Sequence, residues 1–246
     1  MRTLAVALLA ACALAAVAVG EPVAPIRLTL IRHAESAGDP FATPQRPVKG
    51  FLSEPRGVAQ ARATAEALRG MRFDVAFSSP YGRALQTAEI VLGERKTEVK
   101  VLSFLREWMP NPALRDVPST VFEDIQRQAE QAYAEETWKT ELGEGCFDMY
   151  ARIVPPFLAE LAKLGVHSRM GGFVADEQAR GLSIVVFAHG GSLNVLLSFL
   201  LGQPPFPVGA FAFDEAGVAF VELPERHGIG YPQLIVGVPP EAEARP

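Results

Sequence analysis

Ser183-Ile184-Val185-Val186-Phe187-Ala188 is the stretch that most restricts how this chain can fold. Six residues with almost no polarity and strong β character are too short for a helix of their own. They fit a strand buried on both faces, as found in the parallel sheets of α/β proteins. The run ends in His189-Gly190-Gly191-Ser192 and passes into an apolar helix, Leu193 to Leu201. A second run, Leu28-Thr29-Leu30-Ile31, is built the same way and ends in Arg32-His33-Ala34-Glu35-Ser36. Two strands therefore finish in a histidine followed by small residues. In open α/β sheets the ligand sits outside the carboxyl ends of the strands.

Between these anchors the chain alternates. Ser53 is an N-cap with Pro55 in the first turn of an Ala-rich helix reaching Leu68, which Gly70 closes. Phe73 to Ser79 reads as a second strand. Ser78 or Ser79 then caps a helix with Pro80 at its first position, running to about Leu92. Arg83 falls in the first turn of that helix, where a cation opposes the dipole unless an anion is bound there. Val99 to Leu105 reads as a third strand, leading into Arg106-Glu107-Trp108. Residues 108–146 read as an insertion rising over the sheet edge as a cap, with helical pattern from about 119 to 141. A helix from Phe147 to Leu164, kinked at Pro155-Pro156, follows, then a polar connection over 165–181. Strands at Val218–Leu223 and Leu234–Val238 complete the chain, with a disordered tail from Pro239. The fold class expected is a three-layer α/β/α sandwich with a mostly parallel central sheet and a helical cap insertion.

Residues 1–20 carry one charge, Arg2, then sixteen apolar residues from Leu4 to Val19, ending in the small residues Ala18-Val19-Gly20. That is short for a membrane span and fits a secretory signal cleaved after Gly20, leaving a domain of residues 21–246. Leu9-Ala10-Ala11-Cys12 resembles a lipoprotein box, but the apolar run before it is short and continues past Cys12, so secretion or a periplasmic destination is preferred. Once the leader is removed, Cys146 is the only cysteine, no intramolecular disulfide can form, and a buried structural thiol is expected. The formal charge of −5, from 23 basic and 28 acidic residues, argues against nucleic acid as a partner. The four histidines have no metal-ligand spacing, so neither a metal nor another cofactor is expected. His167 and His227 fall in polar loops, and Trp108 and Phe122 are expected to pack the cap.

Taken in order, Arg32-His33-Ala34-Glu35-Ser36, Leu52…Gln60-Ala61, Ser78-Ser79-Pro80…Arg83-Ala84-Leu85-Gln86-Thr87-Ala88 and Ala188-His189-Gly190-Gly191 resemble the histidine phosphatase superfamily, the phosphoglycerate-mutase-like group, over about residues 27 to 238. The resemblance implies phosphoryl transfer through a phosphohistidine on His33. It implies phosphate binding by Arg32, Arg83 and His189, with His189 also catalytic, and a general acid following the third strand, where Glu107 stands. Glu35, Asp39 and Asp116 are also within plausible reach for that role.

The chain departs from the family pattern at Ala34, in place of the usual Gly, which is expected to tighten the pocket. It departs again at Asp39, where many relatives carry Asn, and at Glu144-Gly145-Cys146, a degraded Gly-Glu-Ser element. The long insertion associated with phosphoglycerate mutases is not visible. The expected activity is a secreted phosphomonoesterase acting on a small-molecule phosphomonoester or a phosphorylated protein, with no membrane partner after leader cleavage. The alternatives are a phosphomutase and a non-catalytic phosphate-binding module.

Overall fold

A computed structural model of the chain describes residues 24–37, 51–109, 143–204 and 211–236, with a few single positions between 110 and 142. The expected leader, Asp39, Asp116, Phe122, the C-terminal tail and most of the expected cap lie outside the described residues; positions 120, 121, 123, 124, 127 and 128 are helical.

In chain order the elements are β1 (Ile26–Arg32), α1 (Arg56–Ala67), β2 (Val75–Ser78), α2 (Gly82–Leu92), β3 (Val99–Val101), α3 (Cys146–Lys163), β4 (Val166–Arg169), β5 (Gly172–Ala175), β6 (Ser183–Ala188), α4 (Gly190–Leu200), β7 (Val218–Leu223), β8 (Glu225–Arg226), β9 (Ile229–Gly230) and β10 (Gln233–Ile235). Six strands form the main sheet in the order β10-β7-β1-β6-β2-β3. The pairs β1–β6, β6–β2 and β2–β3 are parallel, while β7 runs antiparallel to both β1 and β10.

Period-two alternation splits the strand side chains between two cores. Leu28, Leu30, Ile184, Val186, Phe77 and Val221 join Phe157 and Leu161 of α3 and Leu193, Leu196 and Leu197 of α4. Ile31, Val185, Phe187, Ala76 and Phe220 meet Leu68 beyond α1 and Ala88, Val91 and Leu92 of α2. The expected α/β/α layering follows from this division.

Thr29 is a polar residue set among these apolar strand side chains. It is fully buried on β1, between Val185 and Phe220, and its hydroxyl has no hydrogen-bond partner among the described residues. An unpaired buried hydroxyl is costly, and valine matches its shape. Thr29→Val is therefore expected to stabilise the protein by about 1 kcal/mol, raising Tm by about 2–4 °C in thermal unfolding.

Several boundaries differ from those expected. The third strand stops at Val101 because its partner β2 ends at Ser78, which pairs with Val101; Ser103–Leu105 is instead a single 3-10 turn. Residues 165–181 are not a plain connection. They hold the hairpin β4–β5, turned by Met170 and Gly171 at positive φ and joined to β9 and β8 in a second, four-stranded sheet. The exposed polar residues His167, Ser168 and Arg169 mask its strand character, while Val166 and Phe173 carry the burial. The α2 helix begins at Gly82 with Tyr81 at its N-cap, and α4 begins at Gly190 rather than Leu193. Pro55 occupies the N-cap position of α1, although the Ser53 hydroxyl and carbonyl still accept from the Gly57 and Val58 N–H groups. Both prolines of Pro155-Pro156 lie inside one helical span.

Candidate active site

The register of the sheet brings the site together. Arg32 pairs with Ala188 in the parallel β1–β6 ladder, so the next residue on each strand, His33 and His189, emerge side by side. The His33 N–H donates to the Ala188 carbonyl at 2.9 Å, and the two imidazole centroids are 5.0 Å apart. On the other side of β6, Ser78 pairs with Phe187, which sets Ser79 against His189 and starts α2 close enough for Arg83 to reach His33. After the 3-10 turn beyond β3, the Glu107 carboxylate meets the start of α4. Its Oε2 accepts the Gly191 N–H at 3.2 Å and its Oε1 accepts the Trp108 N–H at 2.8 Å. A Cβ at position 191 would stand 2.6 Å from Glu107 Oε1, so only glycine permits this approach.

His33 has a defined tautomer. Its Nδ1–H donates to the Ala34 carbonyl at 2.8 Å, and its Nε2 accepts from Arg83 Nε at 3.0 Å. A guanidinium can only donate, so Nε2 must carry a lone pair. Burial, reinforced by the Arg83 and Arg32 charges, holds the imidazole pKa down to about 3, against the opposing bond to Ala34. At neutral pH this is an uncharged imidazole with a nucleophilic nitrogen facing a cation.

His189 is fully buried, and burial, followed by its electrostatic interaction with His33 and the charges of the surrounding arginines, holds its pKa well below the ordinary range. Its Nε2 lies 2.7 Å from Ser79 Oγ, which also accepts the Tyr81 N–H at 3.3 Å. Among the described residues the Ser79 hydroxyl has no other acceptor than Nε2. With the Ser79 hydroxyl as donor, the histidine N–H lies on Nδ1, which is buried and has no partner among the described residues. His189 is thus a neutral donor whose hydrogen-bonding capacity is unspent.

Arg32 donates through Nη1 to the Phe213 carbonyl at 2.5 Å, and its buried Nε has no partner among the described residues. The Arg83 guanidinium carbon sits 4.9 Å from the Tyr81 ring centroid; burial lowers its pKa, while Glu107 and Tyr81 act the other way. Arg32, Arg83 and the two neutral imidazoles together offer forked and single donors suited to a phosphoryl anion, with the Glu107 carboxyl group beside them.

Of the other carboxylates, Glu35 turns toward α1, with Oε2 3.0 Å from Arg56 Nε and Oε1 accepting the Ser53 hydroxyl. The Ala34 side chain does not narrow the pocket, contrary to the expectation from sequence. It packs with Leu52, Ala61 and Ala216, while its N–H donates to Thr87 Oγ1. Cys146 is buried at the start of α3, His167 lies on β4 beside Asp176, and His227 is exposed in the β8–β9 turn. No group of three or more His, Cys, Asp or Glu residues suited to a metal ion occurs among the described residues. Sequence reasoning missed Ser79, whose capping signature concealed its contact with His189, and Arg152, discussed below.

The histidine phosphatase superfamily (branch 1) matches this chain over residues 28–229. The chain belongs to that superfamily. As a histidine phosphatase it is 25% identical over 213 residues to the adenosylcobalamin/alpha-ribazole phosphatase of Escherichia coli (strain K12), a match covering 82% of this chain and 92% of that protein. It is 29% identical over 186 residues to a "Probable phosphoglycerate mutase" of Proteus mirabilis (strain HI4320), covering 74% and 77% of the two chains. Among solved structures, the mycobacterial glucosyl-3-phosphoglycerate phosphatase superposes with a TM-score of 0.63 at 28% identity, covering 85% of this chain and 97% of that one. This histidine phosphatase shares the mixed α/β fold of those relatives, with its six-stranded, mostly parallel sheet.

Proposed function

We propose that this histidine phosphatase is an exported phosphomonoesterase that hydrolyses small phosphorylated alcohols through a phosphohistidine on His33. The observation carrying this reading is the uncharged His33, whose Nδ1 proton is held by Ala34 and whose Nε2 lone pair lies against Arg83. Phosphoryl transfer depends chiefly on positioning and on neutralising the phosphoryl oxygens. Arg83 and Arg32 grip those oxygens, and the Nδ1–H of His189 donates to a third. Nε2 then attacks phosphorus in line, and the ester P–O bond breaks. Glu107 serves as the general acid, passing a proton to the departing alkoxide. As a carboxylate it then takes one from the water that cleaves the P–N bond, releasing inorganic phosphate and restoring His33. The names of the alpha-ribazole and glucosyl-3-phosphoglycerate phosphatases support a small phosphomonoester over a phosphoprotein as substrate. The apolar run at residues 1–20 supports export, and a mature N-terminus at Glu21 in the secreted or periplasmic fraction is the expected sign of it.

The decisive assay is release of inorganic phosphate from p-nitrophenyl phosphate in EDTA across pH 4–8. Steady turnover is expected, and its absence would sink the proposal. The Proteus relative's mutase name favours one competing outcome, in which phosphate appears on an added acceptor alcohol instead of in solution. Ser79 supplies a finer test. Ser79→Ala frees the His189 tautomer and is expected to lower kcat about ten-fold, the equivalent of one lost hydrogen bond of about 1.4 kcal/mol, whereas Ser79→Thr keeps the hydroxyl and most of the rate.

A further inference from the structure

Arg152, on the second turn of α3, spends every guanidinium N–H on one short segment and its neighbour. Nε donates to Glu144 Oε1 at 2.6 Å and Nη2 to Glu144 Oε2 at 2.7 Å, a two-pronged ion pair. Nη1 donates to the Phe104 and Arg106 carbonyls at 2.7 and 3.1 Å, and Nη2 donates to the Glu107 carbonyl at 3.3 Å. Glu144 in turn holds the far side of the same segment. Its Oε2 accepts the Met109 N–H at 2.9 Å, its carbonyl accepts Trp108 Nε1 at 2.6 Å, and its N–H donates to the Met109 carbonyl at 3.1 Å. Both side chains of the pair are largely buried.

This concentration of bonds has a particular target. Residues 106–109 belong to no helix or strand, so the Glu107 backbone has no ladder of its own to fix it. A carboxylate must be held to within a fraction of an ångström for proton transfer, and a loop alone does not supply that precision. The bonds also close a neck, because the chain leaves at Met109 toward residues 110–142 and returns at Glu144.

We propose that Glu144 and Arg152 are positioning residues for the general acid: a clamp that fixes the Glu107 loop and ties its placement to the neck of the insertion. The proposal rests on the reading of Glu107 as the acid, and its test separates the two. Neither residue hydrogen-bonds to Arg32, His33, Arg83 or His189, and Arg152→Lys keeps the charge that acts on His189, so the main effect of weakening the clamp falls on the step in which the leaving oxygen needs a proton.

The test is kcat/KM across phosphomonoesters of graded leaving-group pKa, from p-nitrophenyl to phenyl to alkyl phosphate, because this ratio reports the first phosphoryl transfer. Glu144→Gln and Arg152→Lys keep size while weakening the clamp, and either alone suffices if the other does not fold. Each is expected to lose about ten-fold or more on alkyl phosphate but only about two-fold on p-nitrophenyl phosphate, the same skew as Glu107→Gln. Adding Glu144→Gln to Glu107→Gln is expected to cost nothing further on alkyl phosphate, since both act on one proton transfer.

An equal loss across the series in the clamp variants, with the skew retained in Glu107→Gln, overturns the clamp and leaves the acid in place. Full additivity in the double variant does the same. Absence of the skew in Glu107→Gln itself overturns both.

Discussion

His33→Ala is expected to lose turnover and the trapped phosphoenzyme together. Wild type incubated with labelled substrate and quenched in alkaline detergent should retain phosphate in a linkage that is acid-labile and base-stable, as a P–N bond is. The alanine variant has no nitrogen at the point where Arg83 Nε now meets Nε2, so neither label nor steady-state rate survives. Removal of a nucleophile from a cooperating set costs on the order of 10⁴–10⁶ in kcat, with the residue coming from binding and electrostatics that persist without it. Arg32, Arg83 and His189 remain in the variant, so phosphate or vanadate binding should be nearly retained. Label still trapped in His33→Ala would assign the nucleophile elsewhere.

The second large effect is on stability in acid. His33 has its pKa lowered to about 3 by burial and by two neighbouring arginines, and His189 is lowered for the same main reason. In the unfolded chain both return toward 6.5. Between those values the unfolded state binds protons that the folded state refuses, so stability falls as pH falls and is fully present only above about pH 7. For His33 alone, moving from pH 8 to pH 5 should cost about 2 kcal/mol, with His189 adding in the same direction. Urea midpoints measured from pH 8 down to pH 4 should therefore decline, and more gently in His33→Gln. A flat profile in wild type would mean that the imidazole is not buried as described. Because His33 stays neutral well below pH 6, its protonation does not set the acid limb of activity.

The strands that end in the two histidines were legible because the pattern is strong. Ser183–Ala188 is buried on both faces and matches the expected span residue for residue, and β1 ends at Arg32 with His33 directly after it. What no linear pattern carries is register. That Arg32 faces Ala188 and Ser78 faces Phe187 is a property of pairing, and it alone puts Ser79 beside His189. Arg152 was hidden for a related reason. It lies in an amphipathic helix where an arginine reads as solvated, and besides the Glu144 carboxylate its partners are main-chain carbonyls some 45 residues away, invisible to any side-chain pattern. The β4–β5 hairpin escaped because four-residue strands with exposed polar side chains resemble loops until their partners are known.

The contact between Arg83 Nε and His33 Nε2 bears on chemical selectivity. A bare, uncharged imidazole is vulnerable to any alkylating or acylating reagent that diffuses in. Here the lone pair is occupied by a donor that releases it only to a competitor offering stronger acceptors, which means an anion. A neutral electrophile has nothing with which to draw the guanidinium aside. On the proposed mechanism, the arginine that would steady the reaction's charge would therefore also screen its reactants, and the substrate's own phosphoryl oxygens would uncover the nitrogen they are about to meet.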